Sequence, residues 1–184
     1  MDIIAHGLWA GLGVRWLTRR TPVSTTLAAT TIGLSMLPDV VHMLPVGLWA
    51  AFGAGSFEQL LAYAVAVPGE EPTMPAWVEH WAHHLHCTLH SALVAGAVSL
   101  LLWPWRKMLW LPLWLPLCGW WLHIVIDVFT HSAAFYASPV LYPITREGFD
   151  GIAWNTPWFI LLNYTALLLG WWAVGLGKAG NRSL

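Results

Sequence analysis

From Leu109 to His131 the chain holds no Lys, Arg or Glu and a single Asp, Asp127. An apolar run of that length is enough to cross a bilayer as a helix. It closes on His123-Ile-Val-Ile-Asp127-Val-Phe-Thr-His131. In a helix, positions 123, 127 and 131 are spaced by single turns and share one face. An imidazole and a carboxylate so placed make a pair of metal ligands. A charge at that depth costs on the order of 2 to 3 kcal/mol unless something binds it. The other polar residues of the chain are therefore expected to gather around this helix.

Composition agrees with a membrane solvent. Only 9% of the 184 residues are charged, 58% are hydrophobic, and the mean hydropathy is +0.61. A soluble domain carries about 25% charged residues. Many of the fifteen Trp, such as Trp9, Trp16, Trp103, Trp105 and Trp158, sit near the ends of apolar runs, as in the aromatic belts of a bilayer surface. A formal charge of −1 leaves no footprint for nucleic acid. Cys87 and Cys118 both fall in apolar runs and give no disulfide framework. The Met-Asp-Ile-Ile-Ala-His start lacks the basic region of a signal peptide.

The expected fold is all-α. It is a single integral membrane domain over residues 1–184, a polytopic helical bundle of about five transmembrane helices plus an interfacial or re-entrant segment. The apolar runs are 3–17, 23–42 (with Pro22 in the first turn), 76–103, 109–131 and 157–177. Residues 44–67 are interrupted by Gly53, Gly55, Ser56, Glu58 and Gln59 and read as the surface-lying or re-entrant piece. A Pro-rich acidic loop, 67–75, and a mixed loop, 132–156, complete the chain.

Arg15, Arg19, Arg20, Arg106, Lys107, Lys178 and Arg182 mark one side, which the bias of basic residues assigns to the cytoplasm; Arg146 is the exception. The alternation of spans then brings His6, Asp39, His42, the His-rich start of 76–103, His123, Asp127 and His131 toward one face. That face is the outer one in an inner, plasma-type membrane.

The candidate metal ligands are His6, Asp39, His86, His90, His123 and Asp127. His86 and His90 have His-x-x-x-His spacing, by which one helix face presents two imidazoles. His42 and His131 are candidates for catalytic proton transfer. His80, His83 and His84 lie further out, where they either join the site or coat a wet helix start. Ser91 reads as a small packing residue before it reads as a nucleophile. Carboxylates with imidazoles suit a divalent metal, Zn²⁺ first, with Mn²⁺ or Fe as alternatives. That many ligands leaves room for two ions. Cys87 is off the His86/His90 face and is not expected to bind.

The stretches Met-Asp-Ile-Ile-Ala-His6-Gly, Leu-Pro-Asp39-Val-Val-His42, Thr-Leu-His90-Ser91, and Trp-Leu-His123-Ile-Val-Ile-Asp127-Val-Phe-Thr130 with Leu141-Tyr-Pro143 resemble the YdjM-like family of inner-membrane metal-dependent hydrolases. The resemblance runs from residue 1 to about 143 in matching order. It implies that His6, Asp39, His90, His123 and Asp127 belong to a metal site. Where the family has a second acid after Leu-Pro-Asp, this chain has Val41. It also lacks the family's His-Arg upstream of Thr-His-Ser, which leaves His86 less anchored than His90. The function so implied is hydrolysis of a lipid or lipid-linked phosphoester at the membrane interface, with membrane lipids as partners. A metal-ion or proton transporter using the same cluster is the alternative.

Overall fold

The structure is a computed structural model that describes residues 1–66, 70–134 and 137–179, with side chains to residue 175. The start of the acidic loop at Val67-Pro68-Gly69, the Lys178 side chain and Arg182 lie outside the described residues. The helices are α1 (Ile3–Leu17), α2 (Thr25–Val41), α3 (Leu44–Phe52), α4 (Phe57–Val65), α5 (Ala76–Leu89), α6 (Ala92–Leu102), α7 (Trp110–Thr130) and α8 (Pro157–Ala179). A short 3₁₀ turn, Trp103–Trp105, follows α6. The described residues form an all-helical fold, as the sequence implies.

Helix starts follow local chemistry. The Asp2 carboxylate accepts from the Ala5 N–H at 2.9 Å, and Ser24 accepts from the Leu27 N–H at 3.2 Å. Each satisfies a donor that a helix start leaves open. Pro22 thus precedes the cap of α2 instead of opening its first turn. Ser56 and Gln59 close a capping box on α4.

The expected count of five spans is not confirmed. Two single helices, α7 with 21 residues and the first 19 residues of α8, are long and apolar enough to cross a membrane. The pairs α2 with α3 and α5 with α6 qualify only together, bent by 62° and 59° at their breaks. The total is two to four by length and composition. Helix α1 has 15 residues, about 22 Å of rise, short of the roughly 30 Å hydrocarbon layer. The expected single helix over 76–103 is broken at His90–Ser91. Ser91 accepts from the Val94 N–H at 3.2 Å and so caps a new helix.

Residues 44–66 fold as two short helices against α5. Val46, Trp49, Val78 and Ala82 form a buried cluster, with Leu60, Tyr63 and Met74 packed on it. The turn between α3 and α4 wraps the Trp49 indole. A Cβ on Gly53 or Gly55 would come within 2.8 or 2.7 Å of that ring, which is why the apolar run breaks there.

Helices α2 and α7 are the most extensively packed pair. A Cβ on Gly119 would lie 2.3 Å from the Thr31 carbonyl oxygen, so the two backbones nearly touch. One turn on, His123 Nδ1 is 2.8 Å from the Ser35 carbonyl oxygen. One turn further, Asp127 stands beside Asp39. The two helices therefore run parallel and in register. Helix α1 packs on α2, and α8 on α1. The outer side of α8 shows Leu161, Leu162, Leu168, Leu169 and Trp172. An unpartnered apolar face of that extent suits lipid, not water. Arg19 donates to the Ala173 carbonyl at 3.0 Å, which puts the basic end of α1 beside the end of α8.

Candidate metal centre

Asp127 lies at the middle of the centre and is wholly buried. Its Oδ1 is 3.0 Å from His6 Nε2, and its Oδ2 is 3.1 Å from His123 Nε2 and 3.2 Å from His90 Nε2. Asp39 faces the same rings, with Oδ1 at 3.3 Å from His90 Nε2 and 3.7 Å from His123 Nε2, and Oδ2 at 3.8 Å from His6 Nε2. Four chain segments thus supply five polar groups: α1, the end of α2, the end of α5 and α7.

Two backbone carbonyls set the rings. His123 Nδ1 donates to Ser35, and His90 Nδ1 donates to the carbonyl of His86 at 2.8 Å. A carbonyl only accepts, so each Nδ1 carries its hydrogen. In its neutral form such a ring turns a bare Nε2 lone pair inward, the arrangement by which an outer partner orients a metal-binding imidazole. These two Nε2 atoms are 3.0 Å apart. Two bare lone pairs at that separation repel unless a proton or a metal cation lies between them.

Beyond the His90–His123 contact and the Met1 ammonium on Asp127, several of these close approaches are not hydrogen bonds. His6 Nδ1 and Nε2, Asp39 Oδ2 and Asp127 Oδ2 are buried without a hydrogen-bond partner. Each such atom costs about 1–3 kcal/mol, and a charged one more. Donors aimed at a common point instead of at one another are what metal ligation requires. The ligand atoms of Asp39, His90, His123 and Asp127 all lie within 4.8 Å of one another. Around an ion with bonds of about 2.1 Å, tetrahedral donors sit about 3.4 Å apart, so the observed spacings of 3.0 to 3.8 Å fit. These residues can hold a metal ion.

Of the expected ligands, Asp39, His90, His123 and Asp127 form that group, and His6 faces it through Asp127. Its ring lies 3.9 Å from that of His123, centroid to centroid. His86 is not one of the four. Its ring lies 4.0 Å from that of His90, tilted by 31°, and its carbonyl holds the His90 ring. Because that carbonyl survives any side-chain change, His86→Ala is expected to keep the metal content of the wild-type chain. Elemental analysis checks this, and a loss as deep as that of His90→Ala would restore His86 as a ligand. His131 Nε2 stands 3.5 Å from Asp127 Oδ1 and 2.9 Å from the Met1 nitrogen, which also contacts Asp127. His42 lies edge-on to His86, 5.3 Å between centroids.

Of the remaining histidines, only His83 lines the cavity over the centre. His80 is exposed, His83 Nε2 is 3.4 Å from Cys87 Sγ, and His84 Nδ1 is 2.7 Å from the Tyr142 hydroxyl. The Ser91 hydroxyl is engaged as a cap and donates to the Tyr142 carbonyl at 2.6 Å, which is a structural role. Sequence reasoning missed the Ser35 and His86 carbonyls, since backbone atoms leave no residue-type signal. It also missed the break at His90, although Ser91 is a good helix cap. Both helix breaks flank the centre. Irregular backbone is tolerated at membrane depth where it is buried in protein or lines a cavity.

A cavity of about 650 Å³ opens over the centre, lined among others by Asp39, His42, Tyr63, Glu71, His86 and His131. Helix α4 and the 71–74 segment wall it, so the 44–66 region covers the site. Asp39 reaches the cavity with 13% of its side chain exposed. No Lys or Arg is among the described residues that line it. Tyr63, 3.4 Å from His42 Nδ1, has its phenol pushed up to about 12 by burial and then by Glu71. It therefore stays protonated and can donate to His42.

No protein-family model, curated protein or solved structure matches the chain.

Proposed function

We propose that the chain is a membrane-embedded, metal-dependent hydrolase of the YdjM-like kind, acting on a lipid or lipid-linked phosphoester. The carrying observation is the convergence of unsatisfied buried His and Asp atoms beneath a cavity of about 650 Å³. A divalent cation, Zn²⁺ by donor type, would be held by Asp39, His90, His123 and Asp127, with His6 on the open side. When bound, it supplies Lewis acidity toward a phosphoryl or carbonyl oxygen and lowers the pKa of water. No Lys or Arg is among the described residues that line the cavity, so phosphate charge there would be met by that cation together with the histidines and the Met1 ammonium. His131 and His42 stand at the cavity wall, where each can take or give a proton to a substrate atom. Asp127 orients His131, and Tyr63 orients His42. The site faces the outer side of an inner-type membrane in this reading, because the basic ends of α1 and α6 lie away from it.

The broken helices favour a second reading. Paired breaks at a polar centre are how transporters build ion sites, and a metal-ion or proton transporter would use the same residues. Transport needs a path to both faces, yet below the centre α2 and α7 close on each other at Thr31 and Gly119. Hydrolysis is thus the better fit. Purified protein stripped by a chelator is expected to lose phosphoesterase activity toward lipid substrates and to regain it with added Zn²⁺. Metal-dependent flux into liposomes without any hydrolysis would replace the enzyme by the transporter.

A further inference from the structure

Thr130 is buried, and its hydroxyl has no hydrogen-bond partner among the described residues. It lies three residues after Asp127 and lines a groove of about 370 Å³ between α1, α7 and α8. Leu122, Val125, Ile126, Phe129 and Phe159 give the groove its apolar wall, and its other polar side chains, Trp9 and Asn163, are hydrogen-bonded to each other at 2.9 Å. Its neighbours α7 and α8 are the two single helices long enough to cross a membrane, so its mouth faces lipid. Met1 lines both this groove and the cavity over the metal centre. An apolar trough that opens to the bilayer and carries an unsatisfied hydroxyl beside a metal centre has the shape of one ligand class.

We propose that this groove is the acyl-chain subsite of the lipid substrate. The chain lies along Val125 and Phe129, an ester or glycerol oxygen accepts from Thr130 Oγ1, and the headgroup reaches Asp39 and Asp127. The assignment rests on the hydrolase reading for its substrate but not for its occupant. Volumes of 370 and 650 Å³ are in the range of sites that enclose small ligands.

The test is photo-crosslinking in nanodiscs with a phospholipid carrying a diazirine on its acyl chain, read by peptide mapping. Labelling is expected to concentrate on residues 122–129 and 159. Val125→Trp, which fills the groove without touching a donor, is expected to abolish that labelling and leave metal content unchanged. Thr130→Val, which removes the hydroxyl and keeps the shape, is expected to weaken it about tenfold, the worth of one hydrogen bond. In turnover assays Val125→Trp slows a long-chain phospholipid but not a soluble aryl phosphodiester. Labelling spread evenly over the lipid-facing side of α8, or unchanged by Val125→Trp, overturns the subsite. Groove labelling in a protein that hydrolyses neither substrate supports the subsite and overturns the hydrolase.

Discussion

Asp127→Asn is expected to empty the centre of metal. Asn keeps the shape of the side chain and removes the charge that three imidazole Nε2 atoms approach at 3.0 to 3.2 Å. The loss of affinity should exceed the roughly 10–100-fold that follows removal of an outer partner. Elemental analysis of purified protein reads it directly. Melting temperatures with and without chelator give a second readout. If a metal balances the carboxylates, the variant loses more stability in metal-containing buffer than in chelator. In the chelated protein it loses only the ion pair between the Met1 ammonium and Asp127, so its melting temperature falls less there. If the cluster is instead a metal-free network of imidazolium–carboxylate pairs, wild type carries no stoichiometric metal. The variant is then destabilised by about 3–5 kcal/mol in either buffer.

Gly119→Ala should disturb the same centre from two turns away. The added Cβ would fall 2.3 Å from the Thr31 carbonyl oxygen, and backbone cannot step aside. Helices α2 and α7 have to separate, at a cost of about 1–3 kcal/mol for overpacking. For a chain of this size that is about 2–4 °C of melting temperature per kcal/mol. The Ser35 carbonyl is one turn along from Thr31, and His123 is one turn along from Gly119. Separation therefore pulls the 2.8 Å hydrogen bond that holds the His123 ring. Metal affinity is expected to fall about 10–100-fold, as for other lost outer partners. Gly33→Ala on α2 is the control, since nothing lies within 4 Å of its Cβ position. A Gly119→Ala protein with wild-type melting and metal affinity would mean that the register of α2 on α7 does not position the centre.

Much of the site is legible in the residues. His123 and Asp127 share a face by helical spacing alone, and each apolar segment has a polar end that alternation of spans brings to one side. Those arguments are local, and they lead to Asp39, His90, His123 and Asp127 together. His86 has the right helical spacing from His90, and its ring lies tilted by 31° against that neighbour, outside the group of four. The local arguments also miss the break in the third apolar run. An apolar run of 28 residues looks like one helix, and one Ser cap at position 91 is enough to end it.

What the sequence by itself determined is the solvent and the polar residues that gather: scarce charge selects a bilayer, and helical spacing puts carboxylates beside histidines in a group that could hold a metal ion. Only the tertiary structure decided which nitrogens face inward, because that depends on two backbone carbonyls, Ser35 and His86. It also decided that α2 and α7 lie parallel and in register, so that Asp39 meets Asp127. Spacing along one helix is a property of the chain. The meeting of residues 88 positions apart is a property of packing, set by a glycine that lets two backbones touch.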